Sequence, residues 1–193
     1  MEDDDREEYM IALDFMPDGH PMEKPAYKRE PVVQGLGVKK FILLEATVKS
    51  GVYLQPNDRV YIGEGRRDEI HHIRGRIKPG RLTEMARGEL PFIIEEVVEH
   101  QQERFIQFFN LSQALTTRLH QLELLPGVGK KHMWAIIDER KFKPFKDFED
   151  LRKRVKLMPD PKKVISRRVI SELEEKEKYY IFVAPPPPPK RRY

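Results

Sequence analysis

As far as Lys78 the apolar residues of this chain recur at every second position, and beyond Thr83 they recur at every third or fourth. A period of two belongs to strands whose side chains alternate between faces, and a period near 3.6 belongs to helices with one buried stripe. One change of period therefore divides the chain into a β half and an α half. At 193 residues the length suits two small domains, and the expected class is α+β.

In the β half, "YMIALDFMP" reads as a strand ending at Pro17. "VVQGLG", "KKFILLEATVK", "DRVYIG" and "IHHIRGRIK" follow, separated by turn residues at Ser50-Gly51, Gln55-Pro56-Asn57-Asp58 and Gly63-Glu64-Gly65. Short strands at this spacing predict a small barrel. In the last of them Ile73, Gly75 and Ile77 alternate with Arg74, Arg76 and Lys78, which sets three cations on one strand face, and Arg66 and Arg67 sit in the turn before it. The segment "GHPMEKPAYKREP" reads as a loop. Tyr53 and Tyr61 could stack bases, with core packing the favoured role for each.

In the α half, Pro91 fits the first turn of a helix that runs to residue 110 with Ile93, Ile94, Val97, Val98, Phe105, Ile106 and Phe109 inward. Asn110 and Gln113 stand in capping-box spacing for a second helix faced by Ala114, Leu115, Arg118, Leu119 and Leu122. Next comes "LELLPGVGKK", and then a helix in which Met133, Ile136, Ile137 and Arg140 recur at helical spacing. The Pro-Gly-Val-Gly turn resembles the hairpin of helix-hairpin-helix proteins, DNA-binding and sometimes RNA-binding modules that hold a backbone phosphate on hairpin amides and the next helix's N-terminus. Free N–H groups and the positive end of a helix dipole form an anion site on physical grounds alone. Lys130 and Lys131 oppose that dipole, a poor choice for folding and a good one beside a phosphate. The expected donors are Gly127, Val128 and Gly129. A plain joint between two antiparallel helices is the structural alternative.

The turn has an echo. Pro159 follows Pro126 by 33 residues (159 − 126), and "LLPGVGKKHMWAII" then aligns with "LMPDPKKVISRRVI". The connector "FKPFKDFEDLRKRV" is expected to be a helix with Asp147 as N-cap and Phe148, Leu151 and Val155 inward. Asp160 and Pro161 stand where Gly127 and Val128 stand in the first copy. They start a helix well, but they remove an amide and add a negative charge, so the second hairpin is read as structural. The cations around it, from Arg152 to Arg168, suit longer-range backbone contacts or a solvated face equally. "KYYIFV" is a candidate strand. "APPPPPKRRY" is polyproline II by composition, a spacer first and a protein-recognition segment second.

Absences narrow the chemistry. Without a cysteine the chain forms no disulfide, thiolate metal site or cysteine nucleophile. No run approaches the ~18–20 apolar residues of a membrane span. The acidic start "MEDDDREEYM" does not resemble a signal peptide, so a cytoplasmic protein with no membrane partner is expected. The formal net charge is only +4, and what matters is its clustering. His71 and His72 point to opposite strand faces, and no metal or other cofactor is expected.

"DRVYIGEGRRDEI", "LTEMARGELPFIIEEVVE", "RFIQFFN", "TTRLHQLELLPGVGKK" and "KYYIFV" together resemble the archaeal family catalogued as domain of unknown function 655, over residues 9–183. That resemblance implies an OB-like or cold-shock-like β-barrel followed by an all-α double helix-hairpin-helix domain, nucleic-acid binding and no reaction. The division expected is 1–90 for the barrel with its acidic N-terminus, 91–110 for a linking helix, 111–178 for the paired hairpins, and 179–193 for a short strand and the Pro-rich basic tail. A lyase-type glycosylase shares "LPGVG", but Asp138 follows Gly129 too closely and no lysine lies between Lys78 and Lys130. The expected function is non-enzymatic binding of DNA or RNA backbone with little sequence preference. The hairpin and the barrel cations Arg66, Arg67, Arg74, Arg76 and Lys78 are the expected contacts, and a protein-interaction adaptor is the alternative.

Overall fold

The computed structural model describes residues 6–20 and 29–187; most of the acidic N-terminus, most of the loop before Val32 and the basic end of the tail lie outside the described residues. The chain forms two compact units, one of residues up to Leu90 together with those from Glu172 onward, the other of Pro91–Ser171.

The first unit is a five-stranded antiparallel sheet of β1 (Tyr9–Met16), β2 (Val32–Gly37), β3 (Leu43–Val48), β4 (Arg59–Tyr61) and β5 (Ile70–Arg76), in the order β4-β1-β2-β3-β5. All five strands fall where alternation and turn residues put them. The sheet curls into a half-barrel, but β4 and β5 are its two edges and do not pair with each other, so the closed barrel expected from strand spacing does not form. Bulges in β1 and β5 supply curl. One of the two β5 bulges sits at Arg74–Gly75, where Gly75 has φ +123°, a value side-chain-bearing residues rarely adopt. It also interrupts the strict alternation read into 73–78.

One sheet face holds the apolar core, with Met10, Val33, Leu44, Ala46, Val48, Val60 and Ile70 among its buried members. The other is buried too: Gln34, Glu45 and Thr47 stand among Val32, Leu36 and Leu43, and their polar groups are satisfied. Gln34 donates to Glu45 (3.3 Å) and to the Arg81 carbonyl (3.0 Å) and accepts the Thr83 amide (3.0 Å). Thr83 then starts α1 (Glu84–His100), its hydroxyl accepting the Ala86 amide at 3.0 Å. The helix thus begins seven residues before Pro91 (91 − 84), which lies inside it rather than in its first turn. A proline there removes one backbone bond and crowds the carbonyl four residues back. The single linking helix expected over 91–110 is divided at Gln101, and α2 occupies Gln102–Leu111.

The candidate strand at 178–183 is not a strand. The buried Glu172 carboxylate accepts the amides of Ile181 (3.0 Å), Phe182 (3.0 Å) and Val183 (2.8 Å), so no sheet edge is needed to satisfy them.

In the second unit the helix expected after Asn110 is absent. β6 (Ala114–Thr116) and β7 (Leu119–His120) form a small hairpin there, followed by one 3₁₀ turn over Gln121–Leu124. Arg140 holds the end of α2, donating to the carbonyls of Phe109 (2.8 Å) and Ser112 (2.7 Å). Asn110 bonds the Phe145 backbone in both directions instead of capping a helix. The Gln113 and Gln121 backbones are joined at 3.0 Å, which closes the hairpin. The remaining elements are α3 (Lys130–Phe142), α4 (Phe148–Arg154) and α5 (Pro161–Leu173). Asp147 caps α4 through the Asp150 amide (2.7 Å), and Phe148, Leu151 and Val155 are buried, as expected.

Candidate nucleic-acid interface

The first hairpin is a type II turn. Pro126 supplies the fixed φ of its second position, Gly127 takes φ +83° at the third, and the Val128 amide returns to the Leu125 carbonyl at 3.0 Å. Leu125 and Val128 are buried and anchor the turn from below. Val128 is therefore an anchor and not the amide donor expected, because its N–H belongs to the turn. Gly129 is the N-cap of α3 and brings no side-chain acceptor. The amides of Gly129, Lys130, Lys131 and His132 have no partner among the described residues, and neither do the exposed ammonium groups of Lys130 and Lys131. Four donors and two cations thus meet at the positive end of a 13-residue helix.

Two buried groups hold this turn in place. Arg168 on α5, only 2% exposed, donates to the Leu124 carbonyl at 2.9 Å. His120 caps the preceding 3₁₀ turn, its Nδ1 accepting the Leu122 amide at 3.1 Å while Glu123 takes the His120 amide at 2.9 Å. Burial, and then the Arg140 charge, hold the His120 imidazole below the usual histidine range. Sequence reasoning assigned neither role. The signal for Arg168 is its place in the apolar stripe of Val164, Ile165 and Val169.

The second hairpin has the same backbone task and a different chemistry. Met158 is buried like Leu125, and Val169 like Ile136, as the 33-residue offset requires. Leu157, aligned with Leu124, instead takes φ +59° and is exposed. Asp160 accepts the Lys162 amide at 3.0 Å and Pro161 has none, so the helix start is closed by its own carboxylate. Lys162 is paired with Glu99 at 3.4 Å. The adjoining cleft is lined by the carboxylates of Glu99, Asp147, Glu149 and Asp160 against the cations of Arg152, Lys153 and Lys162, an unfavourable surface for phosphate. The two turns face each other: a Cβ on Gly127 would stand 3.6 Å from Pro159.

On the half-barrel, Arg74, Arg76 and Lys78 line one groove of about 660 Å³ with His71, His72 and Arg81. Each of the three is engaged: Arg74 with the buried Glu45 (3.0 Å), Arg76 with the Pro185 carbonyl (2.9 Å), Lys78 with Glu175 (3.0 Å). Burial lowers the Arg76 pKa from its usual value. Arg66 pairs with Asp68 at 3.5 Å, and Arg67 donates to the Gly63 carbonyl at 2.8 Å. Tyr61 packs edge-on against Tyr9 and accepts the Gly65 amide, while Tyr53 is exposed. Asp138 lies on α3 and is paired with Lys141 at 3.0 Å. No group of three or more His, Asp or Glu that could hold a metal occurs among the described residues, and no described helix is long and apolar enough to cross a membrane.

A family model described as "Protein of unknown function (DUF655)" matches residues 6–184. The chain belongs to this family. Uncharacterized protein MJ0038 of Methanocaldococcus jannaschii is 45% identical over 169 residues, which are 88% of this chain and 75% of that protein. The crystal structure of Af1531 from Archaeoglobus fulgidus, also assigned to DUF655, matches with a TM-score of 0.85 at 47% identity, covering 92% of this chain and 100% of that one.

Proposed function

We propose that this protein is a non-enzymatic nucleic-acid-binding protein that grips backbone phosphate at the first hairpin, which with its echo makes a variant of the double helix-hairpin-helix in which a 3₁₀ turn stands for the first helix. The observation that carries the reading is the open start of α3: four unpartnered amides and two unpaired lysines. Phosphate contacts carry no base information, so sequence preference is low. The half-barrel, on the OB-like reading, is a second and weaker surface, because its cations are already engaged. An adaptor role through the Pro-rich tail is a separate proposal that no contact of the described residues favours.

Fluorescence anisotropy with one labelled oligonucleotide tests the reading. K130E/K131E should weaken binding roughly tenfold or more for every sequence and lower the salt slope by roughly 0.7–0.9 per lost contact. K162E/K163E should do much less. Equal losses would mean a diffuse basic surface, and affinity independent of salt would remove the electrostatic mechanism.

A further inference from the structure

Trp134 is the chain's sole tryptophan, and it stands 57% exposed on α3. Its indole N–H has no hydrogen bond, and its ring has no aromatic or cation-π neighbour among the described residues. Neither packing nor polar satisfaction accounts for placing so large an apolar surface in water. Its position is specific. At i+4 from Lys130 and i+3 from Lys131 it shares their helix face, one turn or about 6 Å from the open amides. Toward the other end of α3 the next exposed side chains are Asp138 and Lys141, which neutralise each other. The unpaired lysines nearest the ring along α3 therefore lie on its hairpin side, Lys143 being nine residues further along the chain (143 − 134).

We propose that Trp134 is a stacking platform for an unpaired base, so that the ligand of the first hairpin is single-stranded nucleic acid, DNA or RNA. This rests on the phosphate reading above and adds the ligand's strandedness to it. A phosphate held at the start of α3 leaves its nucleotide's neighbour within a helical turn of the indole. In a duplex both faces of an internal base are covered by adjacent bases. Only a single strand, a loop or an end offers a free face to an aromatic ring. Such stacking tolerates any base, which agrees with low sequence preference.

The test uses the full chain, with Trp134 fluorescence and anisotropy read together. The probes are a single-stranded DNA, a single-stranded RNA, a duplex, and an abasic strand that keeps the phosphates. A single strand of at least one sugar type should quench the fluorescence and bind about 5- to 150-fold more tightly than the abasic strand, the worth of one stacked base. Trp134→Ala should lose that same factor on the single strand and nothing on the abasic one, and Trp134→Phe should keep most of it. Phe142→Ala is the control, since Phe142 is more exposed still, at 88%, on the same helix about 12 Å further along; it should change nothing. Because Trp134 is exposed, a thermal melt should find W134A folded. Unchanged fluorescence on single-strand binding, or equal quenching and equal W134A losses with duplex, would overturn the stacking role. If K130E/K131E still abolishes binding in that case, only this inference fails. If no probe binds and K130E/K131E changes nothing, the phosphate reading has failed first.

Discussion

The two hairpins lead into helices of 13 residues each, bury equivalent residues in Leu125 and Met158, and differ in what stands at the helix start. In the first, a glycine cap leaves four amides without a partner among the described residues. In the second, Asp160 takes the Lys162 amide, Pro161 has no amide to offer, and the nearest lysine is paired with Glu99. The helix of the second copy also begins two positions earlier in the alignment, because Asp-Pro starts a helix where Gly-Val still turns. An N-cap acceptor stabilises a helix by about 0.5–2 kcal/mol. Forgoing it at α3 while adding two lysines against the dipole is a local loss, and local losses of that kind collect at binding sites.

The largest effect should come from Gly127→Val. A β-branched residue at φ +83° costs about 1–3 kcal/mol, and relaxing the turn would move the amides of α3. Denaturant unfolding should show the loss, and anisotropy should show weakened binding. Unchanged stability would mean the turn is not held as described. Next in size, Asp160→Ala should cost about 1 kcal/mol through the lost cap while leaving nucleic-acid affinity within about twofold. A clear gain in affinity instead would make the second hairpin a latent site of the same kind. The smallest effect is with pH. His120 is held below its usual range, so the neutral ring that accepts the Leu122 amide is the one the fold favours. Its contribution is full above the unfolded histidine value of about 6.5 and is lost as pH falls through that value toward the lowered one. Thermal melts of wild type should therefore decline below about pH 6.5 more steeply than those of His120→Gln.

Where the sequence was legible, the signal was local. Alternation and turn residues located all five sheet strands, and Asp147 with its three apolar partners located α4. What stayed hidden was set by distant partners. Asn110 and Gln113 carry capping-box spacing, yet Asn110 serves Phe145, 35 residues away, and Arg140 ends α2 from 28 residues beyond Ser112. "KYYIFV" has strand composition, but Glu172 satisfies its amides. The open hairpin could be read from Pro-Gly-Val-Gly-Lys-Lys. That Val128 is an anchor, and that the cations of β5 are engaged, required the tertiary pairs.

The central claim is that the first hairpin binds because none of the described residues closes it. Gly129→Asp tests this most directly by giving α3 the carboxylate that α5 already has. Gly129 has extended backbone at φ −86° and ψ −179°, which any residue adopts, and a Cβ there meets nothing within 4 Å. The account predicts that G129D melts at or above the wild-type temperature, since aspartate replaces glycine at a cap and suits the helix dipole. It also predicts that oligonucleotide affinity falls by roughly tenfold or more with a shallower salt dependence. A G129D protein that is equally stable and binds as tightly as wild type would contradict it.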